Sequence, residues 1–548
     1  MTENKKIIIF LLLLSILPRV ISLVTFDFID SGGGSDSVTY ISLARNLFTG
    51  LGYTEFGLPH TVHHPFYPIM IGLVWKLVGD LALSAKLVSC ISGILLVIPV
   101  YFFSSSIFGR RTGILAGMMT ALSPILVYGS TESFSEPLYT LLLIMGLTAG
   151  WLSFKAGRFY QSIFSGIFLG LSFLTHPLGI TFLPLVAGFN LLAGRRRSWL
   201  KERIPAAILI TVAFCLISFP FWLYLHSVTE NWQISGSSHY QDFGIRYDQS
   251  RGAAESEVIF YHMEKLFEQK PSADPNHKPI SMAELIIFHP DRFLRIIGFN
   301  LRDGYHEAVK TAHYLGLPLT VFFSLLATGL LILFTSFLFA FIRRRQRPAI
   351  CYLVLMFTPL SVFLIMQIEH RYFFPFIPLA LIAFARIVDG SWKFCKRSAT
   401  LHKIFLFVLV VYYLSLSVAS GFIIYRKALK TGIPYEYKIL GNWMKENIPG
   451  VDEEKVMMFR LGISYYAGCD WNVFYWGDFP GLKDYLRKRD IKYLVVDSYK
   501  LHMIHSDLRF LLTADPLPPD FGLLRELKFD GRMIRLLEFH PKREGNRQ

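Results

Sequence analysis

The chain has 548 residues, of which 53% are hydrophobic, 15% aromatic and only 17% charged, against about 25% charged in an ordinary soluble domain. That deficit, with many apolar runs of about 20 residues, excludes a soluble globular protein and describes a polytopic α-helical membrane protein. The net charge of +15 does not point to nucleic acid, because the basic residues sit in short clusters between apolar runs, as in cytoplasmic membrane loops.

In chain order, spans are expected near 7–26, 81–107, 112–128, 135–154, 160–175, 177–193, 204–226, 313–342, 348–366, 372–388 and 404–425, about eleven transmembrane helices. The first run continues through Pro18 and Arg19 without a small-residue cleavage site and reads as a retained helix, not a signal peptide. Orientation follows from the basic residues. Lys5-Lys6, Arg110-Arg111, Lys155 with Arg158, Arg195 to Arg203, Arg343 to Arg347 and Lys393 to Lys403 all fall on one side, while the short outer loops carry Arg371 alone. This puts the N-terminus in the cytoplasm and the C-terminus outside. The outer side then holds loops 27–80 and 227–312 and the tail.

The expected organisation is a membrane domain over 1–425 and an extracytoplasmic α/β domain over 426–548. In the tail, helical runs (Pro434–Asn447, Phe479–Arg489) alternate with strand-like runs (Lys455–Phe459, Ile491–Ser498, Arg532–Phe539). In the second loop, His289–Tyr305 has apolar residues at helical spacing and is expected to lie along the membrane surface. The five cysteines have neither metal-ligand nor disulfide-framework spacing.

The polar residues expected at the outer membrane surface are few. Asp36 follows the turn Gly32-Gly33-Gly34, and either it or Ser35 is placed to cap the next helix. Arg19 lies one to two turns inside the first span, where a cation needs a partner, a polar cavity or a route to the interface. His63-His64-Pro65 precedes the apolar run Phe66–Leu77, Glu132 and Glu136 flank a short turn, His176 marks another, and Glu369-His370-Arg371-Tyr372 opens the tenth span. Acids, imidazoles and guanidinium groups from separate outer turns thus share one depth.

The order of motifs is specific: an arginine near the outer end of the first span, D-x-x-x-Y-x-x-x-A (Asp36, Tyr40, Ala44), G-x-G-Y, H-P-x-x-P (His64 to Pro68), A-L-S-P (Ala121 to Pro124), S-E-P-L, L-T-H-P-L-G and H-R-Y-F-F-P-F-I-P. Over about 1–390 this resembles the C-type (GT-C) superfamily of membrane glycosyltransferases. It is similar, more narrowly, to the branch of protein O-mannosyltransferases and the aminoarabinose transferase of lipid A. The resemblance implies a transferase that moves a sugar from a polyprenyl-phosphate donor to an extracytoplasmic acceptor (glycolipid, polysaccharide or protein) at a plasma (inner) membrane. It implies Asp36 as the essential first-loop acid, with Ser37 where relatives often carry a second acid. Glu136 is the second acidic position, with Glu132 its near alternative, and Arg19, Tyr40, His64, His176, His370, Arg371 and Tyr372 are substrate-binding.

The chemistry fits those types. A carboxylate within hydrogen-bond reach of an acceptor hydroxyl can take its proton. A departing lipid phosphate needs cations, and the arginine fork binds its oxygens in pairs. A single displacement would invert the anomeric centre. Some relatives hold a divalent cation, for which Asp36, Glu132, Glu136 and His176 offer an oxygen-rich set. The rival readings are a lipid-linked sugar flippase, which would place its ionisable groups near the midplane, and a polysaccharide ligase or polymerase.

Overall fold

The computed structural model describes residues 3–25, 36–55, 58–193, 202–236, 282–314, 347–364, 370–395, 398–429, 435–475, 477–498, 506–529 and 531–540. The chain divides into two compact units, one of Met1–Asp27, Tyr40–His239 and Gly298–Gly432, the other of Phe28–Thr39, Tyr240–Ile297 and Ile433–Gln548.

The first unit is helical. Its described elements include α1 (Glu3–Thr25), α2 (Asp36–Phe48), α3 (Phe66–Val78), α4 (Leu81–Leu95), α5 (Val97–Phe108), α6 (Arg110–Leu122), α7 (Pro124–Gly129), α8 (Glu136–Ala156), α9 (Phe159–Thr175), α10 (Phe182–Leu192) and α11 (Ile204–Thr229). The helix α12 (Met282–Phe288) falls in the second unit and α13 (Pro290–Tyr314) has residues in both, and α14 (Arg347–Leu355), α15 (Phe376–Cys395) and α16 (Ala399–Ala428) follow. Among the described residues, five helices are long and apolar enough to cross a membrane: Glu3–Thr25, Leu81–Phe108, Glu136–Ala156, Ile204–Thr229 and Ala399–Arg426. Shorter apolar helices, Phe159–Thr175 among them, accompany these. The protein is a multi-pass membrane protein.

Several expected spans are reshaped. The run 112–128 is two helices, because Pro124 has no N–H to continue the ladder and the chain breaks at Ser123. The sixth span opens with a 3₁₀ turn, Pro177–Thr181, before α10. The tenth begins only at Phe376 and runs on to Cys395. The apolar run Phe66–Leu77 is the helix α3, which follows a two-stranded hairpin of β1 (Thr54–Glu55) and β2 (Leu58–Pro59) and folds against α4 with the Tyr67 hydroxyl 3.1 Å from Ala85 O and 2.8 Å from Ser89 Oγ. The expected span 313–342 lies almost wholly outside the described residues.

Small residues let the helices close up. In Gly166-Ile-Phe-Leu-Gly170 on α9, a Cβ at Gly166 would sit 2.3 Å from the Ile210 carbonyl oxygen and 2.7 Å from Ala213 Cβ, both on α11. Backbone cannot rotate away as a side-chain tip can, so close helix approach depends on this glycine. Gly166→Ala is expected to cost about 1–3 kcal/mol by overpacking, read as a lower thermal midpoint of the detergent-solubilised protein. Gly188→Ala, where an added Cβ would meet nothing within 4 Å, should leave the midpoint unchanged.

The second unit carries a five-stranded sheet in the order β4-β3-β5-β7-β6, formed by β3 (Lys455–Met458), β4 (Asp470–Val473), β5 (Tyr493–Asp497), β6 (Phe521–Phe529) and β7 (Arg532–Phe539). The strand β3 runs parallel to β4 and β5, and β7 pairs antiparallel with β5 and β6. Helices α17 (Tyr435–Asn447), α18 (Leu461–Ala467) and α19 (Phe479–Lys488) complete it. Met457, Phe474, Leu482, Leu494, Val496 and Leu537 are central to the apolar core. Asp478 caps α19 by accepting from Gly481 N at 2.9 Å. Buried Glu436 meets Arg532 at 3.1 Å.

Candidate active site

The turn between α7 and α8, Ser130-Thr131-Glu132-Ser133-Phe134-Ser135, is buried throughout and leads into Glu136, the first residue of α8 and itself buried. Two acids inside a low-dielectric wall are costly unless neighbours hold them, and the turn is fastened on several sides. Ser22 on α1 donates to Thr131 Oγ1 at 3.2 Å. Ser89 on α4 donates to Phe134 O at 2.6 Å. The Tyr40 hydroxyl on α2 lies 3.1 Å from Ser135 Oγ. None of these serines was singled out beforehand; hydroxyls in a serine-rich turn carry no signal until the helices around them are placed.

Arg19 is fully buried. Its Nη1 donates to Ser15 O at 3.1 Å, Ser15 Oγ at 2.9 Å and Ala121 O at 2.9 Å, and its Nε to Ser130 Oγ at 3.0 Å. The break at Ser123-Pro124 explains the arrangement. The last carbonyls of α6 have no intrahelical donor, so Arg19 serves Ala121 while Ser420 on α16 serves Leu122 at 3.0 Å. A cation at a helix C-terminus is also favoured by the helix dipole. On α4, a Cβ at Gly93 would fall 2.4 Å from Ser130 Cβ and 3.0 Å from Arg19 Nε, so a glycine leaves room for the brace. Nη2 has no protein hydrogen-bond partner among the described residues. Arg19→Leu is expected to cost about 1–3 kcal/mol through the stranded Ala121 carbonyl, read as a lower thermal midpoint. Transfer per folded molecule stays constant if Arg19 only braces the turn, and falls if its guanidinium also holds phosphate.

Glu136 Oε1 lies 3.6 Å from Arg371 Nε, with both side chains largely buried. The guanidinium carbon lies 5.9 Å from the Phe134 ring centre and 5.8 Å from that of Tyr372. Beside this pair, the His176 ring stands 5.0 Å from Tyr139 and 5.8 Å from Tyr372. Tyr139 follows Glu136 by one helical turn, and its buried hydroxyl has no protein partner among the described residues, as a group kept for a polar ligand would not. A carboxylate, a guanidinium, an imidazole and two phenols from α8, the end of α9 and the segment before α15 are therefore neighbours.

Other expected site residues fall as follows. His64 is buried, with Nδ1 2.5 Å from Phe173 O and Nε2 2.9 Å from Ser235 Oγ, so it ties the start of α3 to the end of α9. His176 Nδ1 also accepts from Leu178 N at 3.3 Å. Glu132 is wholly buried in the turn. Asp36 is half-buried and is the first residue of α2, one turn before Tyr40; Ser35, the other capping candidate, lies outside the described residues. His370 opens the 3₁₀ turn His370–Phe373. Glu136 faces Arg371, His176 Nδ1 accepts from the backbone, and among the described residues no group of three His, Cys, Asp or Glu stands together. Sequence reading missed Tyr139, whose spacing from Glu136 was visible, and Glu55 and His60, which the folded loop brings together with His63.

The fold is that of the C-type membrane glycosyltransferases. The chain is similar to the oligosaccharyltransferase of Archaeoglobus fulgidus in its apo form, at 14% identity over 92% of this chain and 72% of that one, with a TM-score of 0.63. It is similar as well to the archaeal oligosaccharyltransferase AglB from Archaeoglobus fulgidus in complex with an inhibitory peptide and a dolichol-phosphate, at 15% identity over 91% and 70%, with a TM-score of 0.57. A further similarity is to ArnT from Cupriavidus metallidurans bound to undecaprenyl phosphate, at 14% identity over 96% and 97%, with a TM-score of 0.46. Within this class, residues 62–224 match the dolichyl-phosphate-mannose-protein mannosyltransferase family. That segment holds His64, Glu132, Glu136 and His176; Asp36 and Arg371 stand outside it. No curated protein sequence matches the chain.

Proposed function

We propose that this protein transfers a sugar from a polyprenyl-phosphate donor to an acceptor on the extracytoplasmic side of a plasma (inner) membrane. The observation that carries the reading is the buried Glu136–Arg371 pair with its ring of His176, Tyr139 and Tyr372. The matched family segment, which contains Glu136 and His176, supports it. Arg371, with His370, takes the departing phosphate, whose charge grows as the glycosidic bond breaks and needs a cation already in place. Glu136 holds the guanidinium in orientation and receives a hydroxyl of the bound sugar. Asp36 acts as the base that takes the acceptor's proton, at a helix start that favours its ionised form. In this reading the displacement inverts the anomeric centre, the N-terminus is cytoplasmic, and the domain over 426–548 lies outside and contributes acceptor recognition.

The test is a reconstitution. Liposomes carrying the purified protein receive a labelled undecaprenyl-phosphate sugar with candidate glycolipid, glycan and peptide acceptors. Release of the lipid phosphate with label on the acceptor is the expected result. Movement of the intact lipid across the bilayer with no bond cleavage would replace the transferase with a flippase. Growth of a lipid-linked glycan chain would indicate a polymerase.

A further inference from the structure

The first two turns of α8 are polar on a face that is apolar further on. Glu136, Tyr139 and Thr140 stand at i, i+3 and i+4 and so share one side of the helix. Along the same side, Leu143 and Leu147 belong to the apolar core. The polar residues are no less enclosed: Tyr139 is 1% and Thr140 0% exposed. Among the described residues, neither the Tyr139 hydroxyl nor Thr140 Oγ1 has a hydrogen-bond partner. For a threonine in a helix that is unusual, because its hydroxyl can turn back to the carbonyl four residues before. Thr148, two turns along the same helix, does so, donating to Ile144 O at 2.6 Å. Two idle hydroxyls are costly in a helix apolar enough to cross a membrane, where bulk water cannot serve them.

What surrounds the two hydroxyls narrows the ligand that could use them. The Tyr139 ring stacks on His176, with centres 5.0 Å apart and planes 28° apart, and Tyr372 meets the same imidazole at 5.8 Å. Glu136, between Tyr139 and Thr140 on the helix face, has Arg371 at 3.6 Å. The diester phosphate of a lipid-linked sugar has no proton to give a carboxylate and carries the same sign of charge, so it suits Arg371 and not this face. A sugar hydroxyl fits both kinds of neighbour. It can donate to a carboxylate and accept from a phenol or a threonine at the same time.

We infer that Tyr139 and Thr140 are the sugar-selecting contacts, their hydroxyls pairing with hydroxyl groups of the donor's sugar beside Glu136. The inference rests on the transferase reading and deepens it: the sugar is a neutral one that carries oxygens at the positions facing α8. Selection follows from the cost already present in the protein. A sugar with those oxygens relieves both idle hydroxyls, whereas a deoxy sugar leaves one of them buried and unpaired, and a site built that way rejects the poorer substrate.

Three measurements on the full-length protein test it. Without donor, Tyr139→Phe and Thr140→Val each remove an idle hydroxyl and keep the volume, so the thermal midpoint should hold or rise. A lowered midpoint in both would make the hydroxyls structural and overturn the inference. With donor, undecaprenyl-phosphate hexoses should raise the wild-type midpoint further than bare undecaprenyl phosphate does, and that sugar increment should shrink in both variants. No increment in the wild type, or the same increment in all three proteins, would also overturn it. In transfer, each variant should lose about 5- to 10-fold in kcat/KM, the scale of one neutral hydrogen bond. One mono-deoxy donor should cost the wild type a like factor and the matching variant nothing more. Equal losses against every deoxy donor would remove the contacts and leave the transferase standing. A wild type that shows the sugar increment but carries the lipid across the bilayer uncleaved would bring down the transferase and leave the sugar contacts in place.

Discussion

Asp36→Asn in the reconstituted protein is expected to slow sugar transfer by roughly 10²–10⁴-fold, the ordinary contribution of a positioned base, while donor binding stays near the wild-type value. The amide keeps the shape and half-buried setting of the carboxylate at the first position of α2, but it cannot accept a proton. Asp36→Ala should behave alike, and Asp36→Glu should recover part of the rate. The competing role is plain. An acid at a helix start interacts favourably with the helix dipole, worth about 0.3–1 kcal/mol. If that is all Asp36 does, both substitutions will lower the thermal midpoint slightly and turnover per folded molecule will not move. Single-turnover release of labelled lipid phosphate, compared with the melting curve of the same preparation, separates the two.

The second large effect concerns the pair Arg371 and Glu136. Arg371→Ala leaves a buried carboxylate without the guanidinium 3.6 Å away. Removing one partner of a buried ion pair costs about 3–5 kcal/mol, so this variant should lose both stability and transfer. The double substitution Arg371→Met with Glu136→Gln removes the stranded charge, and it should regain most of the thermal midpoint while transferring no sugar. Arg371→Lys keeps the charge but gives up the planar fork that binds phosphate oxygens in pairs. It should weaken the apparent affinity for the donor more than the maximal rate. A double variant that recovers transfer along with its fold would show the pair to be structural.

The membrane helices were largely legible from apolar runs, because a bilayer demands length and hydrophobicity and little else. The break between α6 and α7 was not, since apolar residues continue on both sides of Ser123-Pro124 and a proline in a span can either kink or terminate a helix. Within the sheet, β7 fell on the run expected from its alternation. The strand β6 did not, because Phe521-Gly-Leu-Leu-Arg-Glu-Leu-Lys-Phe is rich in good helix formers and becomes a strand through its antiparallel pairing with β7.

At the site, the residues with unusual chemistry for their depth were visible: Arg19, Glu132, Glu136 and Arg371. Their partners were not. Arg19 could be expected to need acceptors, but nothing in the local sequence names Ala121 O and Ser130 Oγ, more than 100 residues away. The neighbouring histidines make the same point. The motif draws attention to His64, whose two nitrogens are bonded to Phe173 and Ser235. Its neighbour His63 meets His60 at 3.0 Å across a loop that Tyr224, more than 150 residues away, holds at Tyr53 O and His60 O.

The interruption of α6 at Ser123 has a bearing on biogenesis. The carbonyl of Leu122 waits for Ser420, which the ribosome delivers 298 positions later. Until α16 enters the bilayer, that oxygen lacks the Ser420 donor, and the acid-bearing turn beyond it has a looser anchor. The Ser130–Ser135 turn should therefore be among the last parts of the molecule to set during synthesis. Nascent chains carrying Ser133→Cys and halted before residue 399 should react at that position with water-soluble thiol reagents that the finished protein excludes.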